Sequence, residues 1–459
     1  MKVMKFGGGC LKTEETLNQV VEIVAREKRK PAVVVSALNG VTDQLIASVA
    51  AAQRDERTIP DRIESLRDRH VRLAERTIRD EALREETVRA IETALKRVER
   101  LLYGVAYTGE ASPAIRNHVL SYGERLAARL VAGAIRARGP AARPLDSDRI
   151  GMVTDDNLEN ATVKLALFRR KFKRTAGEIK RGSFVPVITG FFGVTSDGRI
   201  SLFGRNGSDY SASVVAYGLK ARSLEIWKDV GGFMSADPGA EKNARKIDRL
   251  SYYEAAELSY FGAKILHPRT LEPLTGLDAE VRIKCLSDPD DPGTEIHRRA
   301  EAKKSVAKSV TANEGIALLR IHGPGVGYKP GIVGRIGRQL SALNINIYSI
   351  ITAQTCINLL VDRKDARRSY QALKDDRNGV IARVDLEEDV ALVAVVGEGM
   401  VARCGVAARI FSAVAKAGIN VKMISSGASE VATYFIVDRK DTARAVRALH
   451  REFFGARTT

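Results

Sequence analysis

Short apolar runs alternate with an amphipathic stretch near the start of the chain. Residues 2–6 (KVMKF) and 31–37 (PAVVVSA) are short and rich in apolar side chains, and they are interpreted as strands that are buried on both faces. Between them, the segment from Glu14 to Lys28 has apolar side chains at the spacing of one helix face: Leu17, Val20, Val21 and Val24. This order of strand, helix and strand predicts a parallel sheet covered by helices.

The same pattern continues further along the chain. Residues 54–102 are highly charged with helical periodicity, which predicts long surface helices. Further strands and helices are predicted at Phe184–Thr189, Arg199–Phe203, Ser211–Leu219, Ser223–Ile226 and Tyr253–Leu258. Residues 1–297 are therefore expected to form one α/β unit, a three-layer arrangement around an open, mainly parallel sheet.

An internal repeat follows a segment of charged and small residues at 298–314, which is interpreted as a linker. The first copy contains PGIVGRIGRQLSALNINIYSI and INLLVDRKDARRSYQAL, and the second contains CGVAARIFSAVAKAGINVKMI and TYFIVDRKDTARAVRAL. The copies are offset by about 75 residues, and each reads strand, glycine turn, helix, strand, strand and helix. Two small α+β units are expected at residues 315–386 and 387–459, with interleaving of the two left open.

The 459 residues carry a formal net charge of +18. A charge of this size is compatible with binding to nucleic acid or to small anionic ligands. The basic residues are interleaved with acidic ones, as in Arg54-Asp55-Glu56-Arg57, and they form no dense tract with aromatic residues between them. A small anionic ligand such as a nucleotide is therefore the favoured interpretation, and no nucleic-acid partner is expected.

Hydropathy and cysteine placement bear on where the protein works. The sequence has no apolar run approaching the ~20 residues of a membrane-spanning helix, and its N-terminal run is too short for a signal peptide. The four cysteines are scattered, at Cys10, Cys285, Cys356 and Cys404. We expect a soluble, cytoplasmic protein with no membrane partner, no disulfide framework and no zinc cluster.

Lys5 and three consecutive glycines, Gly7, Gly8 and Gly9, stand at the end of the first predicted strand. Glycines let a backbone approach a ligand closely, and free N–H groups at the start of a helix suit phosphate. Lys5 adds a full positive charge, and a plain β–α turn is the alternative interpretation. The sequence has no GxxxxGK[ST] motif, which disfavours a P-loop nucleotide fold.

Three further glycine-containing turns have polar residues. Gly204–Asp209 (GRNGSD) follows a predicted strand, and its arginine can hold a carboxylate or phosphate through two hydrogen bonds, although helix capping alone would explain Ser208. Trp227–Phe233 (WKDVGGF) follows another strand, at the sheet edge where ligands usually bind. Phe261–Arg269 (FGAKILHPR) places a lysine beside a glycine at a helix end.

Taken in order, these motifs resemble those of the aspartate kinases in the amino-acid kinase superfamily. The resemblance rests on five motifs, which stand here as Lys5–Gly8, Ser121–Glu124, Gly204–Asp209, Trp227–Pro238 and Phe261–Pro268. The family also has two ACT modules at its C-terminus, so the resemblance extends over nearly the whole chain. It implies the amino-acid kinase fold for residues 1–297, followed by two ferredoxin-like ACT units.

The resemblance further implies transfer of the γ-phosphoryl group of ATP, with Mg2+, to the β-carboxylate of L-aspartate, the first step of lysine, threonine and methionine biosynthesis. The implied catalytic residues are Lys5, Arg205 and Asp209. The implied aspartate-binding residues are Ser36, Thr42, Glu124, Arg205 and Ser208. The implied nucleotide-binding residues are Lys5, Gly7, Gly8, Gly9, Lys228, Asp229, Met234, Lys264 and Ile265.

Each implied role has a chemical reason. Lys5 would neutralise the transferring phosphoryl group, Glu124 would face the substrate's α-ammonium group, and Arg205 would hold a carboxylate. Asp209 would order the reacting groups and the magnesium. No strong general base is needed, because the attacking carboxylate is already a nucleophile, so positioning and charge neutralisation would suffice.

The sequence departs from the family pattern at several positions. Gly9 and Cys10 replace the usual Thr-Ser after KFGG, so two hydroxyl donors are lost. Lys228 stands where threonine is common, and would contact phosphate, contact the adenine site or lie in solvent. Gly239 stands where a nucleotide-contacting arginine is common. These departures motivate one alternative, a non-catalytic or specialised amino-acid-sensing paralogue; a kinase of glutamate or acetylglutamate is another.

The resemblance also implies that the ACT units bind a feedback effector, threonine or lysine, and that chains pair through them as a homodimer or homotetramer. The candidate effector contacts are Gly331, Ile332, Asn346, Ile347, Gln354 and Asn420. Lysine-inhibited relatives commonly have an aspartate where this chain has Tyr348, which favours threonine or another effector. Turn and strand-start chemistry is the alternative explanation for the asparagines.

Overall fold

The structure, a computed structural model, describes residues 1–263, 265–298, 306–374, 381–400 and 403–455. These residues form two compact units. The first unit contains Met1–Phe233, Lys246–Ala256 and residues 265–298. The second contains Met234–Arg245, residues 257–263 and the described chain from residue 306 onward.

A mainly parallel sheet runs through the first unit. Its strands and those of a neighbouring hairpin are β1 (Lys2–Phe6), β2 (Ala32–Val35), β3 (Ala142–Leu145), β4 (Val185–Thr189), β5 (Phe192–Val194), β6 (Ile200–Leu202), β7 (Ser223–Lys228), β8 (Arg249–Ser251), β9 (Glu280–Cys285) and β10 (Thr294–His297). The sheet has the order β3-β4-β2-β1-β7-β9-β10-β8, and β5 pairs with β6. Within the described strands, neighbours in the sheet are parallel except β9 with β10. The predicted open parallel sheet is confirmed.

Helices cover this sheet. They are α1 (Glu14–Ala25), α2 (Val41–Ala52), α3 (Ile59–Thr77), α4 (Glu81–Thr108), α5 (Pro113–Arg136), α6 (Leu165–Lys180), α7 (Gly207–Leu219) and α8 (Tyr252–Tyr260), which begins in this unit. The apolar side chains predicted for one face of α1 are buried, and a capping box between Thr13 and Thr16 fixes where that helix begins. The core continues from these side chains into β1 and β2.

Two element boundaries differ from the predictions for local reasons. Strand β2 ends at Val35. The Ser36 N–H still donates to the carbonyl oxygen of Phe6 in β1, but the Ala37 N–H donates to Glu124 and the chain turns towards α2. Helix α7 begins at Gly207 rather than at the predicted Ser211. The preceding turn has left-handed backbone at Gly204 (φ 73°) and Asn206 (φ 56°), which lets the helix start directly after it.

The second unit contains two four-stranded antiparallel sheets within its described residues. Its strands are β11 (Ser309–Asn313), β12 (Ile316–His322), β13 (Ile347–Thr352), β14 (Cys356–Asp362), β15 (Arg383–Glu387), β16 (Val390–Val396), β17 (Met423–Ser426) and β18 (Ala432–Asp438). Its helices are α9 (Ile332–Ala342), α10 (Ala366–Lys374), α11 (Val406–Lys416) and α12 (Thr442–Phe454). The sheet orders are β13-β14-β12-β15 and β11-β16-β18-β17, and both copies show the predicted sequence of elements.

One outer strand of the second sheet, β11, precedes the whole first repeat in the sequence. Strand β11 lies in the segment 298–314, which the sequence predicts as a linker, and it pairs antiparallel with β16 from Ser309 opposite Val396 to Asn313 opposite Leu392. The two repeats are therefore interleaved along the chain. The polar and small residues of this strand gave no apolar pattern, and its partner lies far away in sequence.

Two short segments, 234–245 and 257–263, leave the first unit in sequence and belong to the second. The Val310 N–H donates to the carbonyl oxygen of Ser235 over 2.8 Å. The ring of Phe261 packs against that of Tyr434, with centroids 4.8 Å apart. Each segment is thus fixed to the second unit by a backbone bond or by ring packing.

Among the residues that the structure covers, no helix combines enough apolar character with enough length to cross a membrane.

Candidate active site

The loop after β1 lies at the carboxyl end of the parallel strands, beside the end of β7. The Gly7 N–H donates to the carbonyl oxygen of Trp227 over 3.3 Å. A Cβ atom at Gly8 would lie 3.1 Å from the carbonyl oxygen of Ala37, so a side chain there would push the loop away from the chain that follows β2. Glycine thus keeps the ends of three neighbouring strands close together.

A 3-10 turn, Gly8–Leu11, separates this loop from α1, which begins at Glu14. The glycine loop therefore leads directly into this short turn and not into α1. An anion at the loop would meet backbone N–H groups of the loop rather than the N-terminus of α1. On the far side of the loop, a Cβ atom at Gly9 would lie 3.7 Å from Oδ2 of Asp229.

Cys10, which stands where a hydroxyl residue is usual, does not replace the lost hydroxyl donor. It is buried, and its Sγ donates to the carbonyl oxygen of Trp227 over 3.3 Å. Burial raises the pKa of the Cys10 thiol to about 11, although the Lys5 ammonium acts against this rise. The thiol therefore stays protonated and engaged with the sheet.

Asp209, in the first turn of α7, lies between two lysines. The distance from Lys5 Nζ to Asp209 Oδ1 is 2.6 Å, and that from Lys228 Nζ to Asp209 Oδ2 is 3.0 Å. The Asp209 side chain is 1% exposed. Burial alone would raise the pKa of Asp209, but the ammonium groups of Lys5 and Lys228 outweigh it and lower the pKa. Asp209 is thus a buried carboxylate that orients two cations.

Glu124 is buried within α5, and its carboxyl group points at the chain that follows β2. The Ala37 N–H donates to its Oε1 over 3.0 Å, while its Oε2 has no hydrogen-bond partner among the described residues. Burial raises the pKa of Glu124 to about 8, against the opposing effects of backbone hydrogen bonds and of the Lys5 ammonium. An unpaired oxygen in this position is suited to a ligand ammonium group.

Neighbouring polar contacts brace the turn that contains Arg205. A Cβ atom at Gly204 would lie 3.2 Å from Asn160 Oδ1. Arg269 donates to that same Oδ1 over 2.7 Å, and its guanidinium lies 4.5 Å from the centroid of the Tyr210 ring. These contacts hold the turn against the strand-connecting chain around residue 160.

Arg205 itself is exposed, so its guanidinium is open to a ligand in solution. Its field reaches His267: burial lowers the pKa of His267 most, Arg269 and Arg205 lower it further, and Asp209 opposes them. Arg205 lies in the turn directly before α7 and Asp209 lies in the first turn of that helix, so Arg205 and the Lys5–Asp209 pair lie at the same helix end.

Comparison with known proteins identifies the family. A model of the amino acid kinase family matches residues 1–285, and a model of the ACT domain matches residues 393–453. Aspartokinase 3, chloroplastic, of Arabidopsis thaliana is 31% identical over 463 residues, which cover 98% of this chain and 81% of that relative. The chain belongs to the aspartokinases of the amino acid kinase family.

Solved aspartokinase structures extend this similarity to the fold. Escherichia coli aspartokinase III in complex with aspartate and ADP (R-state) is similar with a TM-score of 0.84 and 28% identity, over 99% of this chain and 100% of that one. The same enzyme in complex with lysine and aspartate (T-state) gives a TM-score of 0.81 and 28% identity, over 99% of each chain.

Three substrate contacts predicted for an aspartokinase lie where strands of the first unit end or helices begin. Ser36 follows β2 and is half-buried, and Thr42 lies half-buried in the first turn of α2. Ser208 is buried in the first turn of α7, where a Cβ atom at Gly190 would lie 2.6 Å from the Ser208 Cβ. Their roles as substrate contacts stay predictions.

Three further predicted nucleotide contacts are Met234, Lys264 and Ile265. Met234 belongs to the second unit, where its carbonyl oxygen accepts from Ser309 Oγ over 2.8 Å. Its role as a nucleotide contact stays a prediction. Ile265 lies half-buried in a turn of the first unit. Lys264 lies outside the described residues.

A buried ion-pair network beside Glu124 goes beyond the sequence-based predictions. Arg125 binds Asp146 over 2.9 Å and Asp148 over 3.1 Å, and Arg129 binds Asp146 over 3.2 Å. Because Arg125 directly follows Glu124, this network fixes the rotation of α5 that aims the glutamate. The pair of aspartates directly after β3, Asp146 and Asp148, is the sequence feature from which this network could have been predicted.

The predicted effector contacts of the first ACT unit lie around the start of α9. Gly331 has left-handed backbone (φ 87°) immediately before that helix, and Ile332, its first residue, is buried. The Gly327 N–H donates to the carbonyl oxygen of Gln354 over 3.3 Å, so the glycine loop adjoins the turn between β13 and β14. The loop and this turn can contribute to one binding site.

The remaining predicted effector contacts occupy equivalent positions in the two repeats. Asn346 precedes β13 and Asn420 precedes β17, and both side chains are exposed. Ile347, the first residue of β13, is half-buried. The exposure of the asparagines is compatible with ligand binding and equally with turn chemistry.

Proposed function

We propose that this protein transfers the γ-phosphoryl group of MgATP to the β-carboxylate of L-aspartate and forms 4-phospho-L-aspartate. The observation that supports this most directly is the buried Oε2 of Glu124, which has no hydrogen-bond partner within the described part of the chain, in a site that also contains Lys5. A carboxyl oxygen left open in this way suits the α-ammonium group of an amino acid, and a lysine at a glycine loop suits a phosphoryl group.

The residues of the site have different chemical roles. Lys5 neutralises charge on the transferring phosphoryl group, and its ion pair with Asp209 holds the ammonium in place beforehand. Arg205 holds a substrate carboxylate through a bidentate contact. The substrate's β-carboxylate is the nucleophile, so no residue has to remove a proton.

Magnesium accompanies the nucleotide in this proposal. No cluster of three or more His, Cys, Asp or Glu side chains that could hold a metal occurs in the described ranges. Magnesium is commonly held by one or two carboxylates together with substrate phosphates. Asp229, beside Gly9, fits that arrangement. Asp209 fits it poorly, because an ammonium group lies against each of its oxygens. Bound magnesium would offset the negative charge of the phosphates.

The test is acyl-phosphate formation from L-aspartate and MgATP, trapped with hydroxylamine. Lys5→Met is expected to lower kcat by about 100- to 1000-fold, because it removes a preorganised cation from the phosphoryl group. Lys12→Met, at an exposed lysine of the same segment, is the matched control and should retain full activity. An inactive wild-type protein, or equal activity in the two variants, would refute the proposal.

The choice between acidic substrates can be tested in the same assay. Acetylglutamate lacks an α-ammonium group, so it would leave the Glu124 carboxyl group unpaired or force it to stay protonated. We expect turnover with aspartate and none with acetylglutamate, and slower turnover with glutamate. Effector binding without turnover of any acid would instead identify an amino-acid-sensing paralogue.

Feedback by an amino acid at the ACT units is the regulatory part of the proposal. The related E. coli structure with lysine supports an amino-acid effector, whereas Tyr348 in place of an acidic residue favours threonine. Thermal shifts with lysine, threonine and methionine, each followed by inhibition of the kinase reaction, identify the effector. Inhibition of this kind would be consistent with a role at the start of lysine, threonine and methionine biosynthesis.

Assembly through the ACT units completes the proposal. In the described sheet orders, β13 and β17 are outer strands, and they expose Ile350 (37%) and Ile424 (48%). Outer strands with exposed apolar residues are suited to pairing with a second chain. Sedimentation should therefore show a homodimer or homotetramer, and Ile350→Lys should weaken it. A cytoplasmic location is compatible with the exposed free thiol of Cys404.

A further inference from the structure

Lys228 lies at the carboxyl end of β7, beside the buried carboxylate of Asp209. It is the last residue of β7, which runs parallel to β1 with Trp227 opposite Phe6. Its Nζ lies 3.0 Å from Asp209 Oδ2, and its side chain is 15% exposed. It therefore does not lie in solvent, which was one of the interpretations open from the sequence.

Lys5, Lys228 and Asp209 form a trio in which two cations share one carboxylate. Lys5 and Lys228 bring two ammonium groups to the single carboxylate of Asp209, so the three side chains together have an excess of one positive charge. The Lys5 and Asp209 side chains are 7% and 1% exposed. A largely buried excess charge is unfavourable unless an anion compensates it. The trio is therefore suited to an anionic group that arrives with the substrate.

The donors that Lys228 could replace are absent from this site. Gly9 has no side chain, and the Cys10 thiol donates to the carbonyl oxygen of Trp227. A lysine offers three N–H donors and a full charge at a point where the loop has lost two hydroxyl groups. Its position beside the Lys5 ammonium puts both cations at the same carboxyl edge of the sheet.

We propose that Lys228 is a second catalytic cation, which contacts the transferring phosphoryl group together with Lys5, while Asp209 positions both. This inference rests on the proposed function. During the transfer, the bond from phosphorus to the ADP oxygen breaks and a bond to the substrate carboxylate oxygen forms. No proton moves, and the contribution of both lysines is to offset negative charge on the phosphoryl oxygens.

The test compares ATP with ADP, because the two ligands differ by the phosphoryl group in question. Calorimetry on the full chain should show that Lys228→Met weakens ATP binding by about tenfold while ADP binding changes less than about twofold. The same variant should lower kcat by about 100-fold. Lys228→Arg, which keeps the charge, should restore much of the lost ATP affinity.

Lys2→Met is the matched control. Lys2 is also on the sheet and also binds two carboxylates, Glu27 over 2.6 Å and Glu225 over 2.8 Å, but it stands at the amino end of β1. It should leave the ratio of ATP to ADP affinity unchanged. Equal loss of ATP and ADP affinity in Lys228→Met, or no change in either, would overturn the inference. If Lys228→Met does not fold, the smaller Lys228→Thr is measured by the same ratio. Because this ratio needs no turnover, it decides the role of Lys228 even if aspartate proves not to be the substrate.

Discussion

The raised pKa of Glu124 predicts that aspartate binding depends steeply on pH. The free carboxyl group has a pKa of about 8, so it holds a proton over most of the neutral range. To pair with the substrate's α-ammonium group it must become a carboxylate. Binding therefore releases a proton, and acid weakens it.

The magnitude follows from that pKa. If only the carboxylate form binds, the apparent Kd rises by a factor of 1 + 10^(pKa − pH), which is about 11 at pH 7 and about 100 at pH 6. Above the pKa the factor approaches one. We therefore expect the Kd for aspartate to fall about ninefold from pH 6 to 7 and about fivefold from pH 7 to 8, and to level off above that.

Calorimetric titration with aspartate measures both parts of this prediction. The Kd is followed from pH 6 to 8.5, and proton release is read from the dependence of the heat on buffer ionisation; about 0.9 proton per aspartate is expected at pH 7. Glu124→Gln should bind weakly and without this pH dependence, because its amide does not titrate. ADP binding by the wild-type protein is the control for general effects of pH on the fold.

A flat Kd between pH 6 and 8, without proton release, would refute the reasoning. It would mean either that Glu124 is already ionised in the free protein or that it does not face the substrate's ammonium group. An unchanged pH dependence in Glu124→Gln would instead assign the titration to another group.

Further predictions concern stability and, for one variant, nucleotide binding. Because the pKa of Glu124 lies above its ordinary value of 4.5, folding is disfavoured increasingly as pH rises from there to about 8, so Glu124→Gln should raise the Tm of the ligand-free protein at pH 7; a lower Tm would contradict this. Gly8→Ala should weaken nucleotide binding, since its Cβ would lie 3.1 Å from a carbonyl oxygen. Gly104→Ala, with nothing within 4 Å, should stabilise α4 by about 0.5–1 kcal/mol. Asp146→Asn should cost about 3 kcal/mol in urea unfolding, because it leaves buried guanidinium groups poorly compensated. Arg174→Met, which removes an exposed ion pair, should change stability by less than about 1 kcal/mol.

Local patterns in the sequence were sufficient for features that depend on near neighbours. The apolar run at Lys2–Phe6 forms the predicted strand, and the repeated segments fold into the predicted order of elements. Strand Ser309–Asn313 could not be predicted in this way, because what makes it a strand is its pairing with Val390–Val396, far along the chain.

The contacts and protonation of the site residues could not be predicted from the sequence either, because they depend on tertiary packing. The motif GRNGSD placed Asp209 at a helix start, but only the packed structure shows that Lys228 shares it with Lys5. The pKa of Glu124 depends on complete burial and on one N–H donor from Ala37, both of which are tertiary. The direction of the Cys10 thiol likewise depends on the neighbouring strand.

The segments 234–245 and 257–263 tie the two halves of the gene product together in an unexpected way. Each is flanked in sequence by residues of the first unit, yet each folds with the C-terminal half, through Val310 in one case and Tyr434 in the other. In a chain truncated after residue 297, both segments would lack their packing partners, and the truncated protein would be prone to aggregation or proteolysis. Exchange of the regulatory half between enzymes by recombination at a single junction would fail for the same reason, so the two halves are expected to have been inherited together.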